Sequence, residues 1–168
     1  MNYRENYLKS ISFTYFSLHV IHSKKYFMHT FSLLTSSDID TVLVFDEYFQ
    51  IYLPRRQEIE RAISDNVCYL MKSDDHIVWY GIFRPYGLLS EGFIELLIIH
   101  SKLRWKWYGE WFIKYCEMIS QTKRIHTSTN LSNIPMQNLL KKLGYTEWWR
   151  LSNFDPDDPE IFYYRKLE

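Results

Sequence analysis

Residues 94–109 read I-E-L-L-I-I-H-S-K-L-R-W-K-W-Y-G, a stretch that combines a strand, a basic turn and the start of a helix. Its nearly continuous apolar run is typical of a central strand that is buried on both faces. Lys102, Arg104 and Lys106 lie directly before the predicted helix, whose first turn has free backbone N–H groups and a partial positive charge. This order predicts a binding site for an anion such as phosphate.

The length and composition indicate a single domain. A chain of 168 residues can bury a substantial core, and no shift in composition marks a second domain. Twenty basic and twenty acidic residues cancel, which gives little support for overall attraction to nucleic acid or membranes. Cys68 and Cys116 lack the spacing of a zinc site or a disulfide framework, so a reducing cytoplasm is the predicted location.

The first 27 residues differ from the rest. An apolar run at 11–21 follows Arg4 and Lys9 and loosely imitates a signal peptide, but polar residues interrupt it and it is too short to span a bilayer as a helix. A compact domain pattern begins at Met28. We therefore predict a domain over residues 28–168 and an N-terminal extension over residues 1–27. For the extension three alternatives stay open: an extra strand, a disordered tail or an upstream start.

The remaining pattern alternates between strands and helices. Strands are predicted at 31–34, 67–71, 77–83, 93–99, 125–129, 145–149 and 161–165. Helices are predicted after the N-cap residues at 36–40, from Pro54 to about Asn66, from Trp107, and from Asn133 to a C-terminal Gly144. The order is strand, two helices, three strands, helix, strand, helix and two strands, which predicts a mixed sheet.

Two of these segments resemble motifs of the GNAT superfamily, the acetyl-CoA-dependent N-acetyltransferases. After its fourth strand this family has Arg or Gln, two variable residues, Gly, one variable residue and then Gly or Ala, and Arg104 and Gly109 occupy the ends of that motif here. Residues 133–145, N-I-P-M-Q-N-L-L-K-K-L-G-Y, resemble the family's later motif, and residues 155–167 resemble the terminal hairpin of many small bacterial members. The resemblance covers residues 28–168. It implies an α/β (α+β) GNAT fold with a mixed sheet of six to seven strands and about four helices.

The resemblance also implies a function. It predicts a cytoplasmic N-acetyltransferase that transfers the acetyl group of acetyl-CoA, its co-substrate, to a primary amine by direct attack in a ternary complex, without a metal. Main-chain groups near Ile98 would contact pantetheine and help to polarise the carbonyl. The residues implied to bind acetyl-CoA are Leu97, Ile98, Ile99, Arg104, Trp105, Lys106, Trp107, Tyr108, Gly109 and Asn133. For Asn133 a plain helix N-cap is an equally good explanation.

Three positions depart from the family pattern. Trp107 stands where the family usually has its first motif glycine, and Trp105 stands where a small residue often follows the Arg. We expect both indoles to pack against neighbouring helices rather than to stack on the adenine of the cofactor. Leu140 stands where many members have a tyrosine that protonates the departing thiolate, and its helical spacing predicts a core position instead. Such a thiolate has a conjugate acid of pKa about 8.5, so water can protonate it.

A general base is expected, because an amine with a pKa of about 10.4 is protonated at neutral pH. The resemblance places Glu95 on the strand beside the acetyl group, where an apolar setting would raise its pKa, and we predict that it acts as the catalytic base through a water. The alternatives are that Glu95 pairs with an Arg or Lys or caps a bulge. Glu91 is the second candidate. His100 and His126 lack a ligand cluster, and we predict hydrogen-bonded or surface roles for them rather than metal binding.

Three functions stay open from the sequence. The first is the enzyme, acting on an amine-bearing small molecule, peptide or protein. The second is an inactive GNAT-fold module that binds CoA or another partner. The third is single-stranded nucleic-acid binding by residues 104–111, R-W-K-W-Y-G-E-W, against which helical spacing and zero net charge argue. Substrate loops are predicted at 48–56, 86–91 and 153–158, with Tyr48, Tyr52 and Tyr86 lining an aromatic cleft. The chain is predicted to be a monomer or a homodimer, with neither nucleic acid nor membrane as a partner.

Overall fold

The protein is built on one mixed β-sheet. The computed structural model describes residues 16–22, 25–104, 107–153 and 157–167. Its strands are β1 (Phe16–His22), β2 (Lys25–Leu33), β3 (Cys68–Ser73), β4 (His76–Arg84), β5 (Gly92–Ile99), β6 (Arg124–Asn130), β7 (Thr146–Leu151) and β8 (Glu160–Lys166). They lie in the order β1-β2-β3-β4-β5-β6-β8-β7. β5 and β6 are parallel, and the other neighbours are antiparallel.

Among the described residues, four α-helices cover the two faces of the sheet. They are α1 (Ile39–Phe45), α2 (Arg55–Ser64), α3 (Tyr108–Ile119) and α4 (Ile134–Lys142). Side chains of β4 alternate between the faces, as the period of a strand requires. Tyr80 and Ile82 pack with α1 and α2 in one core cluster, while Trp79 and Phe83 pack with α3 and α4 in the other. The described part of the chain contains no helix long and apolar enough to cross a membrane.

This architecture confirms the predicted mixed α+β sheet and its four helices, with one strand more than expected. The additional strand is β1, which pairs with β2 along its whole length and lies within the predicted extension. An extra strand was one of the three alternatives for that region. Met28, the predicted start of the domain, falls inside β2, and the boundary itself stays a prediction.

Residues in the left-handed backbone conformation mark two of the element ends. Asp74 and Asp75 have φ values of 48° and 66° in the turn between β3 and β4, as a tight hairpin requires. Gly144 has a φ of 81° directly after α4, the left-handed conformation of a C′ glycine. The helix predicted after the N-cap residues at 36–40 is α1, which ends at Phe45 because Asp46 leaves the helical conformation and caps the 3₁₀ turn Glu47–Gln50.

Candidate active site

The sheet opens where β5 and β6 part. The parallel ladder between these strands contains three residue pairs and ends at Ile94 opposite Thr127. β5 continues for five residues beyond that point and stays paired with β4 up to Ile99. The main chain of β5 that faces β6 therefore borders an open cleft rather than a neighbouring strand.

This opening, the first cleft, has a volume of about 570 Å³ and lies beside the N-terminus of α3. One wall is the end of β5 with the turn that follows it, and the opposite wall is the first turn of α3 together with one face of α4 along its whole length. The lining residues are Leu97, Ile98, Ile99, Arg104, Trp107, Gly109, Glu110, Asn133, Pro135, Met136, Leu139 and Lys142. The cleft is thus apolar along much of its length and carries two cations.

Both cations of the first cleft form an ion pair with a carboxylate. Arg104 Nη2 lies 3.1 Å from Glu47 Oε2, and Arg104 Nε donates a hydrogen bond of 3.4 Å to the carbonyl oxygen of Ile99. Lys142 Nζ lies 2.8 Å from Glu110 Oε2. Hydrogen bonds from Lys114 and Lys142 lower the pKa of Glu110. An anion that enters the cleft therefore meets charges that already have partners.

The structure brings together most of the residues implied to bind acetyl-CoA. Those that line the first cleft are Leu97, Ile98, Ile99, Arg104, Trp107, Gly109 and Asn133. Trp105 and Lys106 lie outside the described residues. Tyr108 is not among the lining side chains, because its ring packs edge-on against Trp111 at 5.7 Å and faces His29 at 6.3 Å. The ring of Tyr108 is therefore engaged outside the first cleft, and the implied contact of this residue with acetyl-CoA stays a prediction.

Trp107 fits the position where a glycine was expected. Its φ is −65°, a value that any residue adopts, and its side chain is 51% exposed at the cleft wall. Whether this indole packs against a neighbouring helix or stacks on the adenine of the cofactor stays a prediction. Gly109 does meet a close approach, since a Cβ there would lie 3.1 Å from Leu139 Cδ2 and 3.3 Å from Ile99 Cδ1. Glycine at this position lets α3 begin close to both α4 and β5.

Asn133 and Leu140 both have the structural position that the sequence predicts: Asn133 is a helix N-cap, and Leu140 lies in the core. Asn133 Oδ1 caps α4 by accepting a hydrogen bond of 3.3 Å from Met136 N–H, and its Nδ2 donates one of 3.0 Å to Thr129 Oγ1. These bonds use both ends of the amide, although the residue also borders the first cleft. Leu140 is fully buried in the core beneath α4 and is not among the residues that line the cleft.

Glu95 does not lie in the apolar setting that was expected. Ile82 pairs with Leu96 and Phe83 pairs with Ile94, so Glu95 is the extra residue of a β-bulge. Its side chain is 36% exposed and accepts a hydrogen bond from Arg84 Nε. Arg84 Nη1 also lies 2.9 Å from Asp65. The ion-pair and bulge alternatives both hold, whereas the role of Glu95 as a base stays a prediction.

The two histidines are hydrogen-bonded, as predicted. His100 Nδ1 accepts a hydrogen bond of 3.3 Å from the N–H of Lys102, and its ring stacks on Phe45. His126 is buried at the closed end of the β5–β6 pair, where its Nε2 lies 2.7 Å from Glu91 Oε2. Glu91, the second candidate for the base, therefore lies at the end of β5 away from the first cleft. No group of three or more metal-ligating side chains occurs among the residues that the structure describes.

A second cleft, of about 310 Å³, lies on the α1 side of the same strand end. Its lining residues are Asp46, Glu47, Tyr48, Ile51, Ile98 and Arg104. Ile98 and Arg104 line the first cleft as well, so the two clefts meet at the end of β5. Tyr48 stacks near Tyr52 at 5.3 Å, and the guanidinium of Arg55 lies 5.4 Å from the Tyr48 ring centroid. Two tyrosines of the predicted aromatic cleft thus lie together, while Tyr86 instead donates a hydrogen bond to Gln121.

Sequence reasoning missed several residues of the clefts. Met136 and Leu139 lie on the apolar stripe of α4, which continues from the core into the wall of the first cleft. Glu110 and Lys142 lie opposite each other, and no local signal in the sequence shows this contact. Glu47 had no signal at all, because its contact with Arg104 joins residues 57 positions apart.

Comparison with solved structures supports the same fold. A GNAT-family acetyltransferase from Bacillus cereus superimposes with a TM-score of 0.75, at 26% sequence identity over 84% of this chain and 99% of that one. Ard1 from Thermoplasma volcanium gives a TM-score of 0.72 at 13% identity, over 83% of this chain and 98% of that one. The acetyltransferase YncA from Salmonella typhimurium, solved with its cofactor acetyl-CoA, gives 0.65 at 11% identity, over 83% and 94%. At such low sequence identity, the last two comparisons show similarity of fold only. No protein-family model and no curated protein matches the sequence.

The parted strands, the cleft beside the N-terminus of α3 and these structural likenesses lead to one class of protein. The chain belongs to the GNAT superfamily.

Proposed function

We propose that this protein is an N-acetyltransferase that uses acetyl-CoA to acetylate a primary amine, with both substrates bound at once. The observation that carries this proposal is the first cleft, which joins main chain of β5 outside the β5–β6 ladder, the N-terminus of a twelve-residue helix and Arg104. The second cleft on the other side of the strand end offers a separate place for the amine.

The residues of the first cleft fit acetyl-CoA. Leu97, Pro135, Met136 and Leu139 form an apolar wall suited to the pantetheine arm. Arg104 and the free N–H groups of the first turn of α3 suit a diphosphate. Main-chain groups between Leu97 and Ile99 can bond the amides of pantetheine and polarise the acetyl carbonyl. Gly109 leaves the room at the start of α3 that a side chain would take.

Acetyl-CoA supplies an activated acetyl thioester when it is bound. Transfer forms a nitrogen–carbon bond and breaks a carbon–sulfur bond, while the amine loses a proton and the departing thiolate gains one. Leu140 cannot donate that proton, and a thiolate whose conjugate acid has a pKa of about 8.5 can take it from water. The residues that line the two clefts bind and orient the reactants so that the amine approaches the acetyl carbon.

Glu95 is the base in this proposal, acting through a water. Its carboxylate is exposed, and it lies three residues before Ile98, which lines both clefts. Its partner Arg84 also binds Asp65 at the end of α2, so the carboxylate of Glu95 lies on the sheet face that α1 and α2 cover, which is the side of the second cleft. A water held by Glu95 could therefore accept the proton of an amine approaching from that face.

Calorimetric titration with acetyl-CoA and with CoA tests the cofactor part of the proposal. A panel of primary amines is then screened for released thiol in the presence of acetyl-CoA. Binding followed by amine-dependent thiol release is the expected result. Failure of acetyl-CoA to bind at millimolar concentration would reject the proposal. CoA binding without turnover on any amine would favour the alternative, an inactive GNAT-fold module, for which the burial of Leu140 is the supporting observation.

A further inference from the structure

The ion pair between Glu47 and Arg104 lies where the two clefts meet. Glu47 is in the 3₁₀ turn after α1, and Arg104 follows β5, so the contact joins two sides of the strand end. Arg104 lines both clefts, whereas Glu47 lines the second cleft alone. The guanidinium of Arg104, a residue of both clefts, thus pairs with a carboxylate of the second cleft.

The floor of the second cleft holds Glu47 in place. The neighbouring carboxylate of Asp46 is 1% exposed and receives hydrogen bonds from Tyr80 Oη–H and from the N–H of Tyr48. Arg55 Nε lies 3.2 Å from the same carboxylate. Burial and the bond to Asp46 raise the pKa of Tyr80, so its hydroxyl stays a donor. Asp46 is therefore fully engaged in structure, and its contacts fix the turn that presents Glu47.

The side chain of Glu47 is suited to a ligand. It is 62% exposed, and its neighbours in the second cleft include the apolar surfaces of Tyr48, Ile51 and Ile98. A carboxylate at the rim of an apolar wall matches a primary ammonium group on an apolar arm. In the ion pair, however, Arg104 occupies the carboxylate and adds a like charge next to any ammonium that approaches.

We propose that Glu47 is the anchor for the cationic amine in the second cleft, and that Arg104 masks it until the diphosphate of the cofactor draws the guanidinium into the first cleft. This proposal rests on the proposed function and adds to it a substrate class, an arylalkyl or alkyl ammonium, and a coupling between the two clefts. The cofactor strengthens amine binding because its anion removes the partner that blocks Glu47. Reciprocity then requires the amine to strengthen cofactor binding by the same factor.

The size of the coupling follows from the kind of contact. Arg104 and Glu47 are both substantially exposed, at 43% and 62%. Exposed ion pairs of this kind shift an equilibrium by about two- to five-fold. CoA should therefore tighten amine binding by about two- to five-fold, and removal of the Glu47 charge should tighten CoA binding by a similar factor, because Arg104 no longer has a partner to leave.

Binding measurements on the full chain test this without turnover. Phenethylamine is titrated into wild type and Glu47→Gln, with and without saturating CoA, and 2-phenylethanol is the uncharged probe of the same shape. Glu147→Gln is the matched control, since Glu147 also forms an exposed pair with an arginine, Arg150, but lines neither cleft. CoA is titrated separately into all three proteins.

Wild type and Glu147→Gln should bind phenethylamine more tightly with CoA and should bind 2-phenylethanol at least ten-fold more weakly. Glu47→Gln should lose most phenethylamine binding and bind CoA about two- to five-fold more tightly. If wild type binds CoA while Glu47→Gln matches it in both titrations, the masking idea is wrong and the proposed function stands. If wild type with CoA does not bind phenethylamine, the assigned amine class is wrong. Failure of wild type to bind CoA at all would instead reject the proposed function, which separates the two failures.

Discussion

A methyl group added at Gly81 tests whether α3 lies directly against the sheet beneath the first cleft. Gly81 is buried on β4 and pairs with Leu97, a residue of the cleft wall. The Cβ of an alanine there would lie 2.5 Å from Cζ of Phe112 and 2.6 Å from the carbonyl oxygen of Leu96. Atoms do not approach this closely without a shift, so Gly81→Ala must move α3, β5 or both.

The cost can be estimated from what surrounds the clash. Phe112 is fully buried in the core, so its ring cannot swing into solvent. The carbonyl oxygen of Leu96 belongs to the paired backbone of β5 and cannot move alone. Overpacking of a core costs about 1–3 kcal/mol, and two rigid neighbours put this substitution at about 3 kcal/mol. At about 2–4 °C per kcal/mol for a chain of this size, Tm should fall by about 6–12 °C.

Thermal unfolding followed by circular dichroism measures this effect, with Gly144→Ala as the control. Gly144 has a φ of 81°, and a methyl group added there would meet no atom within 4 Å beyond its neighbours along the chain, so alanine introduces backbone strain without a clash. That strain costs about 1–2 kcal/mol, or about 2–8 °C in Tm. Gly81→Ala should also weaken acetyl-CoA binding through displacement of Leu97. A Tm for Gly81→Ala within 2 °C of wild type would refute the close packing of α3 on β4.

The remaining predictions concern the charges of the site and the buried acids. Arg104→Gln should weaken acetyl-CoA binding by about 10- to 100-fold in calorimetry, because a charge-assisted bond to the diphosphate is lost, while Arg150→Gln on β7 should leave it unchanged. Glu95→Gln should lower kcat about 100-fold and remove the acidic limb of the pH–rate profile if Glu95 is the base; a change below three-fold would limit it to its ion pair. Burial raises the pKa of Cys68 and of Tyr69 to about 12 each, so the unfolded chain loses these protons first. Stability should therefore fall by up to about 1.4 kcal/mol per pH unit for each group, from about pH 9 for Cys68 and from about pH 10 for Tyr69 up to about pH 12. Urea unfolding at a series of pH values checks this, and a flat profile would contradict it.

Much of the fold follows from short-range patterns in the sequence. The apolar run of β5 and the helical spacing of α3 are set by neighbours within a few residues, so the order of these elements was predictable. Gly144 and the Asp74–Asp75 turn are visible for the same reason, since their conformations depend on their own backbone chemistry. The extra strand β1 was less visible, because polar residues interrupt its apolar run.

The environment of Glu95 shows where such reasoning ends. Its neighbours along the chain, Ile94 and Leu96, are apolar and predicted an apolar setting. A bulge changes the alternation of β5 at this point and brings Glu95 to Arg84, which is itself tied to Asp65. Register shifts depend on how two strands pair, and that pairing is not encoded in the residues next to the glutamate.

The charges of the first cleft give a further reason why a site is harder to predict than a fold. A basic turn before a helix indicates an anion site, but a cation kept near a helix N-terminus is unfavourable unless an anion is close to it. Both cations of the first cleft are stabilised by a carboxylate from another element. Arg104 pairs with Glu47, and Lys142 pairs with Glu110. An anionic ligand therefore exchanges one partner for another at each cation, and each exchange releases a carboxylate. Glu110 remains beside Lys114, whereas Glu47 is released toward the second cleft, so ligand binding on one side of β5 changes the charge that is presented on the other.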